Sequence, residues 1–153
     1  MTVSHSPRQH LSTTARLAAV LLWGLASGLA AHAAPSCDAQ QFSKVQEQLA
    51  RVASWDRFAQ LYENAGACDR AEQTRAFTQA VARLSARPGG VSQLDAAVRK
   101  RSWLKPVVLR HLRSGAVGRE DSRKIVANVE RACPQRKQTQ LCRDVRITLR
   151  GKK

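Results

Sequence analysis

The chain has 153 residues, 26 lysines and arginines against 11 acids, and a formal net charge of +15. That length fits one domain able to bury a core of marginal stability. The charges from Arg99 onward exclude a membrane-spanning segment in the C-terminal half, and a field this positive directs attention to anionic partners.

Arg8 and Arg16 give the N-terminus a positive start without an acid. Leu17 to Ala31 is uncharged and about five residues short of the ~20 that span a bilayer. Ala31-His32-Ala33 puts small residues at the −3 and −1 positions, the order of a secretory signal peptide. Residues 1–33 are therefore expected to be removed after Ala33, leaving 34–153 as a single exported helical domain, periplasmic or secreted. The alternative is an uncleaved N-terminal anchor. Cys37, Cys68, Cys133 and Cys142 all lie beyond the cut, and an even count in an oxidising compartment reads as two disulfides. The spacings lack a zinc-type pair, and His111 is the sole histidine after Ala33, so no metal and no cofactor are expected.

Apolar residues recur at helical spacing almost throughout. The first helix is expected over 38–52, with Phe42, Val45, Leu49 and Val52 inward, and the second over 54–65, with Trp55, Phe58, Leu61 and Tyr62. Gly66 stands where a left-handed residue ends a helix. Asp69 and Glu72 read as a capping box opening a third helix to Arg87. Pro88-Gly89-Gly90 is the clearest break. It divides a neutral half, 37–87, from a basic half, 91–150. A fourth helix follows over 92–101. Ser102 is placed to cap a fifth, 103–113, with Pro106 in its first turn. A sixth covers 119–132 and is closed by Pro134. The last, 139–150, fits a helix through Leu141, Val145 and Leu149, and a strand through Val145, Ile147 and Leu149. With no second strand to pair with, helix is preferred. Residues 151–153 read as a frayed basic tail. The fold class is all-α: one disulfide-stapled bundle of six to seven short helices.

Four cysteines allow three pairings. Helix geometry favours one of them, Cys37–Cys68 with Cys133–Cys142. A hairpin of the first two helices returns the chain near its start, which brings Cys37 to Cys68. Cys133 and Cys142 flank the short turn before the last helix.

The charge is unevenly placed. From Cys37 to Ala97 seven basic residues face seven acidic ones; from Val98 to Lys153 seventeen face four, a net of +13. The strongest binding candidate is Arg99, Lys100, Arg101, Trp103 and Lys105, joined by Arg110 and Arg113. Clustered cations beside a tryptophan suit a lipid interface or a nucleic-acid backbone. The structural alternative makes Trp103 core and the cations solvated. Arg119, Arg123, Lys124, Arg131, Arg143, Arg146 and Arg150 extend the patch if the helices pack side by side.

His111 is the first candidate for catalysis. It falls mid-arc on the apolar face of the fifth helix, where a packed imidazole meeting a carboxylate or carbonyl is the commoner role. No nucleophile elbow, triad order or phosphate loop accompanies it.

Val107-Val108-Leu109-Arg110-His111-Leu112, then Cys133-Pro134 and Leu141-Cys142, resembles a group of small secreted proteobacterial proteins of unknown function. Cys68-Asp69 leading into an alanine-rich helix is similar as well. The resemblance implies a disulfide-stapled helical domain and no catalytic residue. A looser architectural likeness is to periplasmic immunity proteins. The expected role is binding rather than catalysis, as an inhibitor-like or immunity-like protein with a basic surface for an acidic protein. The alternatives are an anionic envelope component bound through Arg99–Lys105, and an enzyme using His111.

Overall fold

In the computed structural model, residues 37–70, 73–133 and 139–150 are described. The expected leader with its cut after Ala33, the partner role of Glu72, the stop at Pro134 and the tail 151–153 lie outside these residues.

Local capping sets the first two helices. The Asp38 carboxylate accepts from the Gln41 amide at 2.7 Å and starts α1, Ala39–Arg51. The Ser54 hydroxyl accepts from the Arg57 amide at 3.2 Å and starts α2, Trp55–Ala65. Both satisfy first-turn N–H groups that have no helical partner. Five more helices follow: α3, Thr74–Ala86; α4, Gly90–Lys100; α5, Leu104–Arg113; α6, Arg119–Ala132; and α7, Gln140–Arg150. The all-α expectation holds. The last segment is helical, with Leu141, Val145 and Leu149 buried and Ile147 71% exposed. The strand-like alternation would have placed Ile147 with Val145 and Leu149.

α3 is the hub, packed against α1, α4, α5 and α6. Its Phe77, Ala80, Val81 and Leu84 are buried, and so are Thr78 and Ser85. Alanines let neighbouring helices come close. Side chains from elsewhere satisfy exposed helix ends. Arg83 donates to the Leu49 carbonyl at 2.6 Å, so a cation meets the negative end of α1, and Arg87 donates at 2.9 Å to the carbonyl of Ala53 just beyond it. Asn128 on α6 donates to the carbonyls of Ser85 (3.0 Å) and Arg87 (2.7 Å), closing the end of α3.

Two disulfides join Cys37 to Cys68 and Cys133 to Cys142, with Cα separations of 5.0 and 6.1 Å. These are the favoured pairings. Closed disulfides belong to an oxidising, non-cytoplasmic compartment. No helix among the described residues is long and apolar enough to cross a membrane.

Several boundaries differ from expectation. Gly66 is right-handed, φ −61°, and opens a 3₁₀ turn to Cys68. A Cβ there would sit 3.0 Å from the Tyr62 ring, so a larger residue would require the ring to give by a few tenths of an ångström. α3 begins at Thr74 rather than near Asp69, because the Asp69 carboxylate is taken by side chains instead of capping a helix. α4 begins at Gly90 rather than Ser92. Gly89 takes φ +73° to turn the chain, and a Cβ on Gly90 would lie 2.1 Å from the Leu84 carbonyl oxygen. The Trp55 indole donates to the Gly90 carbonyl at 2.8 Å. Ser102 makes no cap; Trp103 precedes α5 with helical backbone and no side-chain cap bond.

Candidate functional site

Asp69 follows the disulfide-bonded Cys68, and its side chain is 0% exposed. Four donors converge on it. Thr74 donates its hydroxyl to Oδ1 at 2.5 Å, and the Tyr62 hydroxyl donates to Oδ2 at 3.0 Å. The Arg110 guanidinium pairs with Oδ2, and His111 Nε2 lies 3.0 Å from the same oxygen. On the other side of the ring, His111 Nδ1 lies 3.0 Å from the Thr78 hydroxyl. A carboxylate only accepts, so Nε2 carries the proton toward Asp69, and in the neutral ring Nδ1 accepts from Thr78. Burial alone would raise the Asp69 pKa. The hydrogen bonds from His111 and Thr74, with the charges of His111 and Arg110, outweigh it and hold the carboxyl below the usual carboxylate range. Burial, then the neighbouring Asp69 charge, pushes the Tyr62 phenol up.

Aromatic rings surround this node. The Phe77 ring stacks on His111, with centroids 6.2 Å apart. Tyr62 meets Phe77 edge to face at 5.7 Å and stacks on Trp103 at 5.6 Å. Asp69, His111 and Thr78 thus repeat the carboxylate–imidazole–hydroxyl order of hydrolytic triads. Exposure decides what the order can do. Thr78 is 0% and His111 1% exposed, so neither meets a substrate in this conformation. The node fastens the 3₁₀ turn, α3 and α5 to one another. His111 has the carboxylate partner that a packed imidazole needs. Asp69 escaped the sequence reading because it sits where an N-cap is expected. A threonine at 78 amid an apolar stripe was the available signal.

The proposed patch is divided by the fold. Arg99 pairs with Asp95. Lys100 lies 3.7 Å from Asp56, and Arg101 reaches Asp56 at 2.9 Å and Glu63 at 3.2 Å. Lys105 holds Asp144 at 2.5 Å, and this hydrogen bond chiefly lowers the Asp144 pKa. Arg110 is committed to Asp69. Trp103 is half-buried against Tyr62. Arg113, the remaining member, is exposed and turns to a different place. The neutral and basic halves are separate in sequence, but the acids of one neutralise cations of the other.

Arg113 lines an open groove of about 1010 Å³ beside α6. One stripe of α6 forms its length: Arg119, Ser122, Arg123, Val126, Ala127 and Glu130. Val117 and Leu149 add apolar floor. Arg113, Arg119 and Arg123 form no salt bridge among the described residues. A smaller cleft between α1 and α2, about 620 Å³, is lined by Gln48, Gln60 and Asn64, and its Arg51 is tied to Glu47. That cleft also holds Arg57, hydrogen-bonded to Gln60, beside Val45, Val52 and Leu61, whereas the α6 groove gathers three arginines that form no salt bridge among the described residues.

No family model, curated protein or solved structure matches the chain.

Proposed function

We propose that the chain is an exported, periplasmic binding protein, inhibitor-like or immunity-like, that meets an acidic protein through the arginine-bearing side of α6. In this reading residues 1–33 are a signal peptide cut after Ala33, and the disulfides staple the product for that compartment. One observation carries it. Cations of the Arg99–Arg110 segment are engaged by Asp56, Glu63, Asp69, Asp95 and Asp144, whereas Arg113, Arg119 and Arg123 line an open groove and form no salt bridge among the described residues. An anionic lipid or polymer acting through Arg99–Lys105 would have to compete with those internal acids.

The test uses the protein purified as exported, immobilised and exposed to envelope extract. A protein partner is expected to stay bound in about 0.3 M salt, where diffuse surface attraction is largely screened. The Arg119→Glu/Arg123→Glu variant is expected to lose it, and Arg99→Glu/Lys100→Glu to keep it. No retained protein, or retention that salt abolishes equally in all three forms, would sink the proposal. Intact mass of the same sample checks cleavage after Ala33.

A further inference from the structure

We infer that the α6 groove is the docking site for a single acidic amphipathic helix of a protein partner. The inference rests on the binding reading above and names the site and the shape of what fills it. Three features carry it.

The first is periodicity. Ser122, Val126 and Ala127, with Arg119, Arg123 and Glu130, follow a spacing of three and four residues, which is one continuous face of α6. From Arg119 to Glu130 that face is ~16 Å long at 1.5 Å per residue, the length of three helical turns. This is a second face. The first, with Ile125, Asn128 and Val129, is buried against the rest of the bundle. Small side chains at Ser122 and Ala127 leave room for another backbone to approach.

The second is shape. The groove is open along one side and about 1010 Å³. Small-molecule sites enclose most of their ligand, whereas a helix laid in a groove buries one apolar stripe and leaves the other face wet. Val117, Val126 and Leu149 provide the floor that such a stripe would meet.

The third is charge. Arg113, Arg119 and Arg123 cluster toward the start of α6, and Glu130 stands alone near its end. Guanidinium groups pair with carboxylates in a planar, two-pronged geometry. The occupant therefore carries its acids at the end lying over Arg119 and Arg123, and the reversed sign over Glu130 fixes its direction.

A displayed library of random sixteen-residue helical peptides is the probe. Selection on the wild-type protein is expected to enrich sequences with an apolar stripe at i, i+3, i+4 and i+7 and with Asp or Glu toward one end. The best peptide, made synthetically, should bind Arg119→Glu/Arg123→Glu at least tenfold more weakly and Arg99→Glu/Lys100→Glu unchanged. Acids at the start of a helix are favourable, so the first variant should keep the wild-type circular dichroism spectrum. Val126→Asp is the second probe of the floor and should weaken binding at least as much. Neutral or basic winners overturn the inference, as does undiminished binding to both groove variants. Two further results also overturn it: phosphatidylglycerol vesicles bound through Arg119 and Arg123 in place of peptide, or a dimer of the chain that the reversal dissolves. If the envelope partner is retained while acidic helical peptides are not selected, the groove assignment fails and the binding reading stands.

Discussion

One turn apart on α5, Arg110 ends on the buried carboxylate of Asp69 and Arg113 ends on an open groove. The first region uses charge to hold the fold. Asp69 draws donors from α2, α3 and α5, in a pocket of aromatic rings with no exposed oxygen. The second region has arginines that form no salt bridge among the described residues, over a partly apolar floor. Net charge alone does not distinguish them, since both draw on the basic half of the chain. Position relative to a carboxylate does. The comparison predicts that stability is concentrated at Asp69 and insensitive to charge at the α6 groove, with the reverse for binding.

The largest effect is expected at Asp69. Asp69→Ala strands the His111 and Tyr62 donors and leaves Thr74 and Arg110 without their acceptor, and removing one partner from a buried charged network costs roughly 3–5 kcal/mol. Urea unfolding should show the loss; a change under about 1 kcal/mol would remove Asp69 from its central role. The acid limb of stability tests the same node. The folded Asp69 carboxyl titrates below its unfolded value. Its contribution is thus complete above the ordinary aspartate range and is lost as pH falls through the lowered pKa. Wild type should exceed Asp69→Asn by a constant margin above about pH 5, and the margin should shrink below it. A margin that grows on acidification would contradict the assignment.

The two staples should differ in the same direction. Cys37–Cys68 closes a separation of 31 residues and fixes the backbone next to Asp69, while Cys133–Cys142 closes 9. Loop-closure entropy gives about 3.7 kcal/mol for the first and about 2.7 for the second. Paired Cys→Ala substitutions, compared by denaturant midpoint, should preserve that order. An inverted order would mean that the Asp69 region tolerates a looser chain than its hydrogen bonds suggest.

His111→Phe isolates the polar part of the node. Phenylalanine can keep the stack on Phe77 but offers Asp69 and Thr78 nothing. A loss of about 1–3 kcal/mol is expected, the cost of buried polar groups left without partners. Calorimetry of the two proteins measures it, and equal melting temperatures would show that ring packing accounts for His111.

Much of the architecture was legible because it is written locally. Asp38 and Ser54 cap as their types dictate, the apolar stripes bury the faces they mark, and the hairpin of α1 and α2 brings Cys37 to Cys68. The failures are tertiary. Asp69 has the residue type and place of an N-cap, and the side chains of Tyr62, Thr74 and, from α5, Arg110 and His111 give its carboxylate other partners. Gly90 starts a helix two residues early because α4 touches the Leu84 carbonyl, a contact 6 residues away in sequence that no helix rule contains. The patch was legible as charge and illegible as a surface. Asp56 and Glu63 lie seven apart on one side of α2, and facing them with Lys100 and Arg101 needs the fold.

The smallest expected effect is the most discriminating. Arg119→Glu/Arg123→Glu reverses two exposed charges that form no salt bridge among the described residues. Surface changes of that kind stay within about 0.5 kcal/mol, and glutamate near the start of α6 complements the helix dipole. The unfolding midpoint should therefore match wild type, although four charge units have been exchanged on a protein of net +15. If stability instead fell by as much as in His111→Phe, those arginines would be structural in the manner of Arg110, and the contrast between the two ends of α5 would collapse. A silent change in stability, set against the lost retention of an envelope protein, separates charge that holds the chain together from charge that faces outward.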